Sequence, residues 1–374
     1  MLTQFFAFGI AAGQWSGTVP TVAAASGVNS ATLGLAFTVF TAAYILSMTF
    51  GGAALARMPT RPLLIVGNVA SALAVSSFVL STSPIALFVS LTGIGVAMGF
   101  LDLAMNAEGT QVEVDSGRPM LARLHGSASA GSALGAIVGS VLALTVGTWA
   151  SVIVCFVALS VAIVVVYRLT PQRAVRSRAE RQASGSFPGS TTLIILGIVF
   201  GIGVAGESAA GMWSARLLDE QAPQLAVIAG IGISFFAGCQ ALVRFSGDRL
   251  RRSFGDRTLI GACLTVAAIG FAIIGQSSSF LMSVVGFALV CFGSALTVPC
   301  VFALSVASSP RHGGAAISYI AAVAGLPRIL TPWAFGLIAA QFSTGTAFGL
   351  IAVALVVAVV LSQVRGQRTA VERQ

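Results

Sequence analysis

Residues 84–107 read PIALFVSLTGIGVAMGFLDLAMNA, a run of apolar and small residues interrupted by one acid, Asp102, and one amide, Asn106. A membrane helix needs about 20 mostly apolar residues, and this run is long enough to be one. Comparable runs lie at approximately 1–24, 31–54, 62–81, 122–146, 149–168, 191–216, 225–246, 258–276, 280–304, 314–340 and 343–362, which makes twelve spans in all. The run 122–146 is the weakest, because Gly, Ser and Ala dominate its first half. The first run starts at Met1 without a basic stretch or a small-residue cleavage site, so it reads as a membrane helix and not as a cleaved signal.

Composition agrees. Of 374 residues, 56% are hydrophobic and only 8% charged, and the mean hydropathy is +0.96. Soluble domains average about 45–50% apolar and about 25% charged residues. All 20 basic residues are Arg and the net charge is +9. Nucleic acid is not an expected partner, because the arginines sit in short connectors with no basic face interleaved with aromatics. Cys155, Cys239, Cys263, Cys291 and Cys300 all lie inside apolar runs without CxxC spacing, which suggests neither a metal site nor a disulfide framework. No phosphate-binding loop is present, and the two histidines have no catalytic company, so neither a cofactor nor an enzymatic activity is expected.

The longest polar connector is 169–190, with TPQRAVRSRAERQASGSFPGS from Thr170. It divides the chain into an N-terminal six-helix bundle (1–168), a linker (169–190), a C-terminal six-helix bundle (191–364) and a tail (365–374). With twelve spans, every arginine except Arg216, Arg244 and Arg328 falls on one side. Cytoplasmic loops are enriched in Lys and Arg, so both termini are expected in the cytoplasm of a multi-pass cell-membrane protein. The halves echo each other: GGAALARMPTR (51–61) follows span two and GDRLRRSFGDR (247–257) follows span eight. Two ordinary basic turns would look similar. The match in helix number and register favours duplication, as in transporters whose two repeats rock about a central site.

These loops make the chain resemble the major facilitator superfamily. Gly247, Asp248, Arg249, Gly255 and Arg257 are similar to a shortened form of its signature loop, G-x-x-x-D-R-x-G-R-R. The first copy, with Arg57 and Arg61, is degenerate and has Gly52 where the second has Asp248. Within the superfamily the segment Gly99 to Gly139 resembles the bacterial YbjJ-like branch, related to fucose permease-type proteins. Weaker similarities are Trp15 and Pro20, Glu207 with Trp213 and Ser214, Pro299, and Gly325 to Gly336. The resemblance implies an all-α membrane protein of twelve transmembrane helices in two pseudo-symmetric six-helix bundles. It also implies a monomer that carries a small molecule.

Asp102 is the first candidate for function. Asn106 lies four residues on and shares its helix face. Embedded acids usually face a cavity or a partner, and low dielectric disfavours the charged carboxylate, which suits a proton carrier. The resemblance implies the same, since fucose permease-like proteins have a Glu-x-x-x-Asn arrangement in span four. Their second acid, in span one, is here Ser16. The competing reading pairs Asp102 with Arg123 or His125 at the cytoplasmic end.

Gln14 and Trp15 could contact a polar ligand, or Trp15 could simply pack. Glu207, flanked by small residues, is either a cavity acid or a structural partner for an arginine. Arg328, between Pro327 and Pro332, either pairs with Glu207 or Asp102 or neutralises an anionic substrate; the mixed signs favour the pair. His125 is a possible proton relay with Asp102 or a helix-end hydrogen-bonding residue. Trp213, Gln240 and Tyr319 are further candidates, and Arg244 is placed near Asp248. Glu108, Glu113, Asp115 and Arg118 fall in the connector between spans four and five, where they suit gate salt bridges or a solvated loop. Gly131, Gly135 and Gly139 form a close-packing face. The leading expectation is proton-coupled transport of a small polar solute, possibly a sugar or related metabolite, with lipid as surroundings. Efflux of amphipathic or toxic compounds and uniport are the alternatives.

Overall fold

The computed structural model describes residues 1–55, 57–116, 120–170, 191–228, 231–308 and 313–363. Among them, fourteen α-helices build twelve spans. The first span is α1 (Leu2–Gly17) with α2 (Val19–Ala25). Then follow α3 (Ser30–Leu55), α4 (Thr60–Val79), α5 (Pro84–Ser116), α6 (Leu121–Thr145) and α7 (Thr148–Leu169). The second half has α8 (Thr191–Gln221), α9 (Ile231–Phe254) and α10 (Asp256–Gln276). Its tenth span is α11 (Phe280–Ser294) with α12 (Thr297–Ser308), and α13 (Gly313–Gln341) and α14 (Thr344–Gln363) complete it. This is an all-α membrane protein with twelve transmembrane helices. The linker from 171 to 190 and the tail from 364 lie outside the described residues.

Spans one and ten break beside a proline. Pro20 lacks the N–H that would bond the Ser16 carbonyl, and the backbone N–H and hydroxyl of Thr18 turn back to the Gln14 and Trp15 carbonyls, which keeps these two acceptors satisfied at the break. Pro299 follows the break between α11 and α12 in the same way.

Spans four and eight differ most from the sequence reading, and span seven runs five residues further, to Gln221. Span four continues to Ser116, so Glu108 and Glu113 are helical residues instead of loop residues. Span eight begins later and runs to Phe254, so Gly247 and Arg249 belong to a helix; the turn is Gly255 alone, at φ +76°. Charge favours the longer end of span eight. Arg251 and Arg252 fall in the last turn of α9 and Asp256 in the first turn of α10, each favourable to the local helix dipole. Arg251 also pairs with Asp256 at 2.7 Å, bridging the turn.

Glycine sets the packing. In α1 and α6, a Cβ added at Gly9, Gly13, Gly17, Gly131 or Gly135 would overlap the opposing backbone. Helices in lipid gain no hydrophobic effect from association, so close backbone approach supplies van der Waals contact instead. The same interior holds a reciprocal amide pair: Gln4 Nε2 donates to Asn68 Oδ1 at 3.1 Å, and Asn68 Nδ2 donates to Gln4 Oε1 at 2.8 Å. The halves meet along α3 with α13 and along α6 with α9. At Gly34 and Gly336 a Cβ on either helix would lie 2.6 Å from the other's Cα. Outward faces carry bare valines, such as Val157, Val161 and Val164 on α7 and Val353, Val356 and Val360 on α14. Surfaces of that kind suit lipid as solvent.

Gly135→Leu should destabilise the fold by more than the roughly 1–3 kcal/mol usual for overpacking, because the obstacle is the Ile10 backbone. Gly52→Leu, which meets open space, should not. Thermal unfolding in detergent compares them; equal midpoints would mean that α1 and α6 do not approach as described.

Candidate functional site

Four polar residues from four helices lie close to the midpoints of those helices: Tyr44 on α3, Asp102 on α5, Glu207 on α8 and Arg328 on α13. Asp102 is held from two directions. Tyr44 Oη donates to its Oδ2 at 2.7 Å, and Asn106 Nδ2 donates to its Oδ1 at 2.8 Å. Asn106 also donates to the Asp102 backbone carbonyl at 2.9 Å, fixing the amide one helical turn away. Hydrogen bonds to a charged group are worth about 1.5–3 kcal/mol. Asp102 therefore sits in a neutral cradle and does not pair with Arg123 or His125. Arg123 is exposed. His125 packs edge-on to Phe5, with ring centroids 5.4 Å apart, and its charged neighbour is Arg244.

The second acid has a different partner from the one the sequence favoured. Glu207 Oε1 accepts from Gln240 Nε2 at 2.6 Å and lies 3.7 Å from Arg244 Nη2. Gln240 also donates to Ser294 Oγ at 3.3 Å. Arg244 Nη1 reaches across the halves to Ser129 Oγ at 3.3 Å. Arg244 thus points into the protein, and Glu207 is occupied. Arg328 is left over. It is within electrostatic reach of Tyr44, Glu207 and Asp102. Among the described residues it forms no ion pair with either acid, and its buried Nε has no hydrogen-bond partner.

Aromatic rings close the space beside this network. Phe37 of α3 meets Trp213 of α8 edge-on at 5.3 Å, Trp213 stacks on Phe335 of α13 at 4.7 Å, and Phe335 meets Phe348 of α14 at 4.8 Å. Trp213 therefore ties the halves together on the arginine-poor side, next to the Gly34 and Gly336 contact. Trp15 is enclosed by Phe37, Phe40 and Phe78, so its faces are used in packing. Gln14 is fully buried with both amide atoms unpaired among the described residues. Tyr319 is half-buried and packs against the core. A groove of about 730 Å³ between α10 and α14 is lined by lipid-side residues such as Ile269 and Val353 and lies away from these charges.

Residues 1–252 match the model of the Major Facilitator Superfamily. The chain belongs to the major facilitator superfamily. An uncharacterized MFS-type transporter of Yersinia pestis is 29% identical over 356 residues, covering 94% of this chain and 91% of the relative. Among solved structures, a mutant form of the nucleoside transporter NupG aligns with a TM-score of 0.76 at 14% identity, over 96% of this chain and 98% of that one. A D-xylose-proton symporter aligns with a TM-score of 0.75 at 14% identity, over 97% and 95%. The protein is a transporter of this superfamily and not an enzyme.

The signature-loop residues of this facilitator are distributed between helix and turn. Gly247 lets α9 approach Leu296, and Arg257 Nη1 donates to the Ser362 carbonyl at 3.5 Å. Arg249 and Arg57 are exposed, and Arg61 lies over the Tyr167 ring at 4.4 Å. Glu113, expected in a gate, caps α6: its Oε2 accepts from the Met120 and Leu121 N–H groups at 2.6 and 2.9 Å, two donors that a helix start leaves unsatisfied. Arg118 and the Asp248 side chain lie outside the described residues. Sequence reasoning missed Tyr44, Ser129, Arg251 and Asp256. A lone tyrosine in an apolar run was the signal for Tyr44, and only its pairing with Asp102 gives it meaning.

Glu207 and Arg244 are half-buried, and removing one partner of such a pair leaves a charge poorly compensated. Arg244→Gln should therefore lower the thermal midpoint more than the double variant with Glu207→Gln. A double variant that simply sums the two single losses would show that these side chains are not coupled.

Proposed function

We propose that this facilitator moves a small polar solute by alternating access and couples that movement to a proton carried by Asp102. The observation that carries the reading is the Tyr44–Asp102 hydrogen bond of the first half, with Arg328 of the second half within electrostatic reach, all near the midpoints of their helices. Secondary transporters hold substrate and coupling ion at such a midplane junction between repeats. A carboxylate cradled by a hydroxyl and an amide can exchange a proton without losing its neighbours. The fold likeness to a D-xylose-proton symporter supports the same class of chemistry.

The state described suits access from the arginine-rich side. The Gly34 and Gly336 contact and the Trp213 stack close the opposite side, whereas α5 and α12 make no comparable contact among the described residues. With the arginine-rich side cytoplasmic, both termini are inside and access is from the inside. One chain holds the complete set of residues, so the working unit is a monomer. Glu207 serves as an internal anchor, because Gln240 and Arg244 already engage it.

Proteoliposomes test the coupling. Solutes found by thermal shift are loaded and assayed with and without an imposed pH gradient. Wild type should accumulate the solute against its gradient when protons flow. Asp102→Asn should retain exchange but lose accumulation. Equal gradient-driven accumulation by Asp102→Asn would remove Asp102 from the coupling and return the protein to uniport or another ion.

A further inference from the structure

The embedded charges do not cancel locally. Glu207 and Arg244 offset each other at 3.7 Å. Asp102 has both carboxylate oxygens taken by neutral donors. Arg328 keeps a full positive charge with no ion pair among the described residues, and its Nε is buried without an acceptor. A guanidinium presents donors in a rigid planar fork suited to carboxylate and phosphate groups. Desolvating it without an acceptor is costly, so a group that supplies two oxygens at this point recovers that cost.

The surroundings fit such a ligand. Arg328 lies one residue after Pro327 and four before Pro332 within α13. It sits at the junction where α13 packs against α3 of the first half and α8 of its own. The residue as a whole is half-buried and not fully enclosed. Tyr44 donates to Asp102 and is within electrostatic reach of Arg328.

From this geometry we infer that the transported solute carries an oxyanion, a carboxylate or a phosphate, and that Arg328 is the residue that binds it. The inference rests on the transport reading above and names its substrate class. It also gives the coupling a physical origin. The Asp102 carboxylate and the solute's oxyanion compete electrostatically for Arg328. Protonating Asp102 removes the competitor, so proton and anion bind together, and the bound site remains charge-matched while it crosses. By linkage, each ligand strengthens the other by the same factor.

Other titratable groups on the helices around α5 are engaged elsewhere. Arg61 on α4 lies over Tyr167, Arg123 on α6 is exposed, and His125 on α6 faces Phe5 and Arg244. The amino group of Met1, before α1, lies near Glu108. Tyr44 of α3 and Arg328 of α13 are the groups that face Asp102.

The test uses the full-length protein in nanodiscs and matched solutes that differ in charge: glucose with gluconate and glucose 6-phosphate, glycerol with glycerate and glycerol 3-phosphate, and galactose with galacturonate. At least one anionic member should stabilise wild type while its neutral match does not. Arg328→Gln should weaken that binding on the order of 30-fold or more, as loss of one partner of a buried charge pair does. Arg328→Lys, which keeps the charge but not the fork, should fall between. Asp102→Asn should bind a carboxylate member, whose own charge is constant over the range, equally at about pH 6 and about pH 8, whereas wild type should prefer the lower. Size-exclusion profiles establish that each variant is folded. The absence of any Arg328-dependent anion binding across the panel overturns the inference. Gradient-driven transport of a neutral member, unchanged in Arg328→Gln, would overturn it too while leaving the proton-coupled reading intact.

Discussion

A charge inside lipid needs a counter-charge or a ring of dipoles, and the interior of this protein is organised by that requirement. Embedded ionisable groups are costly unless they pair or face water. The chain meets the cost in three ways. Glu207 pairs with Arg244 and Gln240. Asp102 receives two neutral donors. Arg328 receives nothing at bonding distance on its Nε among the described residues. The first arrangement suits a fixed strut, the second a group that changes its protonation, and the third a site whose partner arrives from outside.

The same requirement shapes how the halves touch. Small residues bring α1 onto α6 and α3 onto α13 until backbones meet at the glycine contacts. The aromatic run from Phe37 through Trp213 and Phe335 to Phe348 seals one end. Charge is then confined to the remaining space, where Arg244 and Ser129 form a polar contact between α9 and α6. The proposed rocking of the halves would separate the glycine contact at Gly34 and Gly336 while preserving the packing of α1 on α6. The first joins different halves and the second lies within one.

Much of this was legible in the chain and some was not. Apolar run lengths set the spans, because bilayer thickness dictates helix length. The exceptions were span four and span eight, whose charged ends continue as helix beyond the lipid-length segment. Asp102 and Asn106 were readable because helical spacing places them on one face. Tyr44, 58 residues away from Asp102, was not readable, since nothing local ties span two to span four. Arg328 stood out by its charge, but its partner did not. Sequence reasoning matched it to the nearest acids by sign, whereas the packing of α9 delivers Arg244 to Glu207 first. Glu113 shows the reverse case: it resembled a gate acid by its place between spans, and its carboxylate instead completes the first turn of α6.

Whether a proton enters this site with the solute can be measured directly. A solute identified by binding is added to purified protein in weakly buffered solution, and a pH indicator reads proton exchange. The account predicts uptake approaching one proton per solute bound by wild type near neutral pH, with none in Asp102→Asn although the solute still binds. Binding without proton uptake in wild type, or undiminished uptake in Asp102→Asn, would contradict it.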